Sequence, residues 1–300
     1  MAPSLTPDPR AVENAVTISS ARGRRMTPVR RMLCVGAVLA ITGASPQARG
    51  DFVYDDFSDV SGLMLNGSSV QDGNVLRLTS ATPWQSGSAF TVSAEELGNL
   101  NSFSTHFRFR ITQSGGISDQ DGSGADGIVF VLQTVSNSIG GSGGGIGYQD
   151  IPNSVGVEFD TWNNGAGYSD PDGNHVGIDT EGNIASLATG GEPVRLNNDE
   201  IWHAWVDYNG ATQLLEARWS MDGVRPAPAG VSAVLDLVDI LGQDSAYLGF
   251  TSGTGSAWGN HDILSWQYRA EYAPIPEPSS LALGCLGLLG LARLHRRRVA

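Results

Sequence analysis

Between Asp51 and Tyr272 the chain does not sustain the apolar spacing of a long amphipathic helix; it repeats a two-residue alternation instead. Phe103, Thr105, Phe107, Phe109 and Ile111 alternate with His106, Arg108 and Arg110, so one face of this segment is apolar and the other polar. Gly127–Gln133 is an unbroken apolar run of strand length, which predicts a strand covered on both faces. Further strands are expected over 74–78, 155–160, 175–179, 201–208, 213–220, 247–251 and 263–268, with Gly, Ser, Asn and Asp clusters between them. One helical turn is expected at Glu95–Leu100. The glycine-rich stretch 140–145 sits between strong strand patterns and reads as a loop rather than a linker. No internal repeat and no second domain is visible. The pattern predicts a single all-β sandwich of antiparallel strands.

Within that pattern the chemistry gathers in eighteen residues, from Glu158 to His175. Val155, Val157 and Phe159 alternate with Glu158 and Asp160, so the two carboxylates share a strand face while the apolar side chains pack the other way. Adjacent carboxylates repel unless a cation or a proton lies between them. Asn164, Asp170 and His175 add an amide, a third carboxylate and an imidazole. Asp160, the Trp162 carbonyl, Asn164 and Asp170 are a hard oxygen set suited to Ca²⁺. Glu158, Asp160, Asp170 and His175 are a mixed set suited to Mn²⁺ or to a second Ca²⁺. Asp172 is a rival to Asp170. The cluster is expected at a sheet edge, which favours binding over buried catalysis. Asp119-Gln-Asp121-Gly-Ser-Gly has the opening spacing of a calcium loop, but Phe130 stands where that loop needs its glutamate, so it reads as an acidic turn.

Charge narrows the partners. The chain has no lysine, and residues 51–273 carry seven arginines against 28 acidic residues, a formal charge of −21. Such a surface repels nucleic acid and anionic lipid and tolerates divalent cations and neutral sugars. The two cysteines, Cys34 and Cys285, lie in apolar terminal segments, which leaves the domain between them without a disulfide or a thiolate zinc site.

Both ends read as addresses. Arg30-Arg31, the apolar stretch from Met32 and the small residues through Ala48 form a signal-peptide pattern over residues 1–50, with Met26 the expected start. Residues 274–300 run Pro276-Glu277-Pro278, then an apolar stretch from Leu281 to Ala292, then Arg293 and Arg296-Arg297-Arg298. The apolar stretch falls short of the roughly 20 residues of a comfortable membrane span. The whole segment resembles the PEP-CTERM sorting signal of exported Gram-negative proteins. That resemblance implies export across the inner membrane and a transient membrane anchor, here a short transmembrane helix. It also implies cleavage by an exosortase and residence at the cell surface or in an exopolysaccharide matrix.

Glu158-Phe-Asp-Thr, Asn164, Asp170-Pro and His175-Val-Gly-Ile-Asp179 resemble the metal-binding segment of the legume-type (L-type) lectins. Asn66-Gly67, the strand from Phe103, Ala125-Asp126-Gly127 and Ser265-Trp266 follow in family order, so the likeness spans about Asp51 to Tyr272. It implies a concanavalin A-like fold, a two-sheet antiparallel jelly-roll sandwich, with a carbohydrate held on loops beside Ca²⁺ and Mn²⁺. Asp126, after a cis peptide with Ala125, would accept sugar hydroxyls. Gly144 or Gly145 would lend a backbone N–H, and Asn164 would serve both calcium and sugar. Trp162 would offer its ring to a sugar face. The loop before the last strand, with Ser256, Ala257 and Trp258, would set specificity, Trp258 acting either as a second platform or as a cap on the loop. Family members often form homodimers through sheet edges, so a homodimer is a possible partner state.

Two other readings compete. A hydrolase on the same sandwich needs paired carboxylates flanking the scissile bond, but the β-glucanase pattern Glu-x-Asp-x-x-Glu is broken here by Asn163. His106 and His203 fall within strands, where structural roles are the default. A surface scaffold that keeps the fold without binding sugar would show calcium-dependent stability and no glycan affinity. The reading is therefore a metal-dependent, non-enzymatic carbohydrate-binding protein.

Overall fold

The computed structural model describes residues 50–139 and 145–276. The signal-peptide pattern, Gly144 and the apolar stretch of the sorting segment lie outside them. Sixteen strands are present among the described residues. In chain order they are β1 (Phe52–Tyr54), β2 (Leu63–Gly67), β3 (Val70–Asp72), β4 (Val75–Thr79), β5 (Ser86–Thr91), β6 (Glu95–Glu96), β7 (Phe103–Gly116) and β8 (Gly127–Gln133). They continue as β9 (Ser154–Asp160), β10 (His175–Thr180), β11 (Asn183–Gly191), β12 (Trp202–Asn209), β13 (Leu214–Ser220), β14 (Val231–Val234), β15 (Ser245–Gly253) and β16 (Ala257–Arg269). A five-residue helix, α1 (Leu237–Leu241), precedes β15.

The strands form two antiparallel sheets. The back sheet has the order β14-β13-β12-β7-β16-β4-β3, with β1 on β16. The front sheet has the order β11-β10-β9-β8-β15-β5-β2, with β6 on β15. This is the expected jelly-roll sandwich. The core between the sheets takes the apolar sides of β7, β8, β9, β15 and β16, including Phe107, Phe109, Phe130, Phe159, Phe250 and Trp266. Most of these rings meet edge-on or tilted, Phe109 and Phe159 at 4.9 Å and Phe250 and Trp266 at 4.8 Å, a geometry that aromatic quadrupoles favour, while Phe107 and Phe130 stack at 5.8 Å. β8 is covered on both faces, as its unbroken apolar run predicts. Ile128, Phe130 and Leu132 enter the core, while Val129 and Val131 pack outward against Ile146, Tyr148 and Ile151.

Two expectations need correction. Glu95–Leu100 is not a helical turn. Glu95–Glu96 pair with Ser245 and Ala246 of β15, and a 3₁₀ turn follows at Asn99–Asn101. A six-residue helix has too little internal bonding to compete with a sheet partner. The carboxylate strand β9 is also not at an edge: β8 and β10 flank it, and every residue of it is buried.

On the outer face of the back sheet His106 and His203 stack at 5.4 Å, and His106 and Trp205 stack at 4.9 Å. His261 lies inside β16, fully buried, with Nδ1 2.7 Å from the Thr79 hydroxyl.

Candidate metal and ligand site

The register of the front sheet builds the site. His175 pairs with Asp160, Asp160 with Gly127, Gly127 with Gly253, and Gly253 with Ser86. One row across five strands therefore ends at the same rim. The loops that leave this row, around residues 80–85, 123–126, 161–174 and 254–256, all emerge at that rim.

Glu158 and Asp160 stand on the outward side of β9, opposite Val157 and Phe159. Glu158, Asp160 and His175 bring one donor atom each to within 4.8 Å of one another, and all three residues are buried. His175 Nε2 is 3.5 Å from Glu158 Oε1 and 3.9 Å from Asp170 Oδ1. Asp172 lies on the other side of the ring, 4.0 Å from Nδ1, and its side chain is half exposed. Asp170 thus shares the Nε2 side with Glu158, and Asp172 instead accepts the Asn174 N–H at 2.9 Å. Gly177, the register partner of Glu158, leaves room for that carboxylate: a Cβ there would stand 2.4 Å from Glu158 Oε1 and 2.2 Å from the Ser186 hydroxyl.

The loop after β9 is tied to the same carboxylates. Asp160 accepts the Trp162 N–H and Asp170 accepts the Asn164 N–H, each at 2.6 Å. Asp119, in the acidic turn, accepts the Asn163 N–H at 3.0 Å, so this turn braces the loop from outside. The Asn163 amide oxygen accepts the Gly165 N–H at 2.7 Å, a loop-forming role at the position where a hydrolase would carry its second acid.

Electrostatics give the cluster its character. Burial, reinforced by the charge of Glu158, pushes the Asp160 pKa well above the carboxylate range, and the same two causes act on Asp179. Burial also raises Asp170. Burial pulls His175 down, but its contact with Glu158 and the charges of Asp170 and Asp172 outweigh this, and the net shift is upward. Both ring nitrogens of His175 and Oδ2 of Asp126 are buried without a hydrogen-bond partner. Concentrated, desolvated carboxylates beside an unpartnered imidazole fit a divalent cation, which would relieve the repulsion and take the lone pair of one imidazole nitrogen.

Asp126 follows a cis peptide from Ala125, as expected. Its N–H donates to Gly253 O at 3.1 Å, its carbonyl accepts from Thr161 N at 2.9 Å, and burial pushes its carboxyl pKa up to about 6. Gly255 faces it: a Cβ at Gly255 would be 3.7 Å from Asp126 Oδ2 and would meet nothing else within 4 Å. Gly145 accepts from the N–H groups of Tyr148 and Gln149, at 2.8 and 3.0 Å, and so starts the turn beside β8. Trp162 and Asn164 are half-buried at the rim and Ser256 is exposed, but Ala257 is buried and starts β16. Trp258 lies against Gly115 and Gly116, which is the loop-capping arrangement.

Two participants, Ser186 and Gly255, escaped the sequence reading, and a third, Asp179, was read within the metal-binding segment but given no role. The Ser186 hydroxyl of β11 lies 2.7 Å from both Glu158 Oε1 and Asp179 Oδ1. Asp179 is a buried acid at the end of the His-Val-Gly-Ile-Asp run and was a visible signal. Ser186 had none, because a register shift between Ile178 and Thr180 hides its alignment. Gly255 had no signal either.

Fold and cluster together define a jelly-roll sandwich with a candidate cation site at its rim. A legume lectin domain model matches residues 49–283, and the chain belongs to that family. A PEP-CTERM protein-sorting motif matches residues 274–298, which supports export with a C-terminal sorting signal. Favin from Vicia faba is 30% identical over 184 residues, 59% of this chain and 73% of favin. The L-type lectin-domain containing receptor kinase VII.1 of Arabidopsis thaliana is 28% identical over 250 residues, 75% of this chain. The chain spans about a third, 35%, of that receptor kinase's length. Among solved structures, the metal-free form of lectin I-B4 from Griffonia simplicifolia aligns with a TM-score of 0.61 and 25% identity, over 73% of this chain and 98% of that lectin. A lectin from Bauhinia forficata in complex with GalNAc aligns at 0.60 and 26%, over 73% and 96%. No helix among the described residues is long and apolar enough to cross a membrane. The stretch expected to anchor the protein lies outside them.

Proposed function

We propose that the protein is an exported, metal-supported lectin that binds carbohydrate at the rim around Asp126 and acts at the cell surface or in its polysaccharide matrix. The observation that carries this reading is Asp126. A buried carboxylate oxygen without a partner, facing a side-chain-free Gly255, sits at the rim where the loops around residues 123–126, 161–174 and 254–256 emerge. Such an acceptor offers a sugar hydroxyl a strong charge-assisted bond.

Glu158, Asp160, Asp170 and His175 would hold Mn²⁺ or a second Ca²⁺, and Asp160, Trp162, Asn164 and Asp170 would hold Ca²⁺. Bound ions would supply positive charge that keeps the loops and Asp126 in place. The residues do the recognition: Asp126 and Asn164 by hydrogen bonds, Gly144 or Gly145 by a backbone N–H, and Trp162 by its ring. The reading includes no catalysis. The C-terminal motif would hand the protein to an exosortase-type enzyme. Homodimerisation through a sheet edge would raise avidity without new contacts at the site.

The test is a carbohydrate array probed with the protein in Ca²⁺ and Mn²⁺ and again after chelation. Binding that needs the ions and is lost in Asp126→Ala supports the lectin. Ion-dependent stability with no binding to any glycan overturns it in favour of a scaffold, and reducing-sugar release that survives chelation overturns it in favour of a hydrolase.

A further inference from the structure

Trp84 is the most exposed large apolar side chain among the described residues, at 74% of its full accessibility. Its backbone lies in the left-handed region, φ 61°, which a bulky aromatic residue seldom adopts. Neither feature serves the core, since the ring contributes nothing to packing between the sheets. Yet the loop that carries it is tightly fixed. The Trp84 N–H donates to Gly255 O at 3.2 Å. The buried Thr254 hydroxyl accepts from Gln85 N and donates to Thr82 O, both at 2.8 Å, while Thr254 N donates to Gln85 O at 2.9 Å. Ser80 N donates to the Gln85 side chain at 2.8 Å, and Ala81 N donates to the Asn260 side chain at 2.7 Å. Strained backbone persists only where its surroundings over-determine it, and such places cluster at ligand contacts.

The position of this loop gives the ring a purpose. Ser86, two residues on, belongs to the row that also contains Asp160, Gly127 and Gly253. Gly255 touches both partners: its carbonyl holds the Trp84 backbone, and its bare Cα faces Asp126 Oδ2. The loop that carries the exposed indole is therefore joined through its backbone to the one residue that faces the unpartnered carboxylate oxygen. By contrast, Trp258 is engaged with Gly115 and Gly116.

We propose that Trp84 is the platform of a second sugar subsite that continues the Asp126 site across Gly255, so that the protein grips two or more consecutive residues of a neutral glycan chain. The proposal rests on the lectin reading. Indole offers a flat apolar face to the C–H face of a pyranose. The acidic surface, with a net charge of −13 for the chain, disfavours uronic or sulfated polymers.

The experiment titrates the full-length protein, loaded with Ca²⁺ and Mn²⁺, with the methyl glycosides of galactose, glucose and mannose and with the matching linear trisaccharides. Trp84→Gly keeps the left-handed backbone while deleting the ring, and Trp84→Phe restores a smaller platform. The expected result is a trisaccharide affinity about five- to tenfold weaker in Trp84→Gly, partly restored in Trp84→Phe, with monosaccharide affinity unchanged. Trisaccharide should also perturb the tryptophan fluorescence of the wild type more than that of Trp84→Gly, in which only the contribution of Trp162 remains. Equal trisaccharide binding by wild type and both variants would overturn the subsite while leaving the lectin reading intact. A wild type that binds none of the six probes, or binds them equally well as Asp126→Asn, overturns the lectin reading and the subsite with it.

Discussion

Asp126 places a carboxylate where its own solvation is poor, and a pH dependence follows. Its pKa in the folded, metal-free protein is about 6 because of burial, against 3.8 for the free side chain. The folded state therefore holds the proton more tightly than the unfolded chain. This contribution is fully present below about pH 4 and is lost as pH rises through about 6. Asp126→Asn in chelator should thus melt higher than wild type at about pH 7.5, by up to about 3 kcal/mol, with the gap closing near pH 4. In the metal-loaded protein the same substitution should weaken glycan binding by at least about tenfold, because an amide lacks the charge that strengthens the bond. Thermal melts at the two pH values and a sugar titration check both outcomes. Asp126 was legible in the sequence through Ala-Asp-Gly and the family likeness. Asp170 against Asp172 was not: only three-dimensional placement shows which carboxylate shares the Nε2 side of His175. Trp84 escaped attention because exposure is invisible in a sequence when the residue stands in a Thr-Pro-Trp-Gln turn without periodicity.

At the scale of the element, β9, its loop and β10 act as a clamp whose jaws are like charges. Alone, the carboxylates Glu158, Asp160, Asp170 and Asp179 push one another apart or take up protons; a bound cation would offset that repulsion. Saturating Ca²⁺ and Mn²⁺, at about 100 times the dissociation constant, should stabilise the fold by about 2.7 kcal/mol per site, and chelation should remove it. Gly177 is the sensitive point of the clamp. Gly177→Ala places a methyl against both the Glu158 carboxylate and the Ser186 hydroxyl. It should cost about 1–3 kcal/mol through overpacking and abolish most of the metal-dependent rise in melting temperature, as calorimetry with and without ions would show. The strands of this clamp were readable because their alternation is strict. β2, β3, β5, β11 and β14 were not read as strands. They are short, or carry Gly, Ser and Thr where apolar residues would mark a face, and tertiary pairing rather than local pattern fixes them. The edge placement of the cluster failed for a related reason: a strand's own residues do not reveal how many neighbours it will acquire.

Across the whole molecule, two histidines set the acid limit. Burial lowers His106, helped by His203 and Arg108, and burial lowers His261, each to about 3. Their stabilising contribution is complete above about pH 6.5 and is lost as pH falls toward 3, because the unfolded chain takes up the protons first. The histidine share of the stability should fall on acidification through this window, opposed by the raised carboxylates, and His106→Gln should remove about 1.4 kcal/mol per pH unit of that loss, measured by denaturant melts of variant and wild type at stepped pH. The two-layer all-β architecture was evident from alternation and turn spacing, but the assignment of strands to sheets was not, since it depends on pairings remote in sequence. One of those pairings reaches further. β16, the final strand, is not peripheral: it runs between β7 and β4 and also carries β1, while β15 separates β8 from β5. Neither sheet can close until β15 and β16, which begin only at Ser245, are available. A chain emerging from a ribosome would hold both layers open with their centres missing, and closure by such distant pairings is intrinsically slow, on the order of milliseconds to seconds. For a chain exported in extended form, this strand order would keep it threadable and delay its shape until after the crossing.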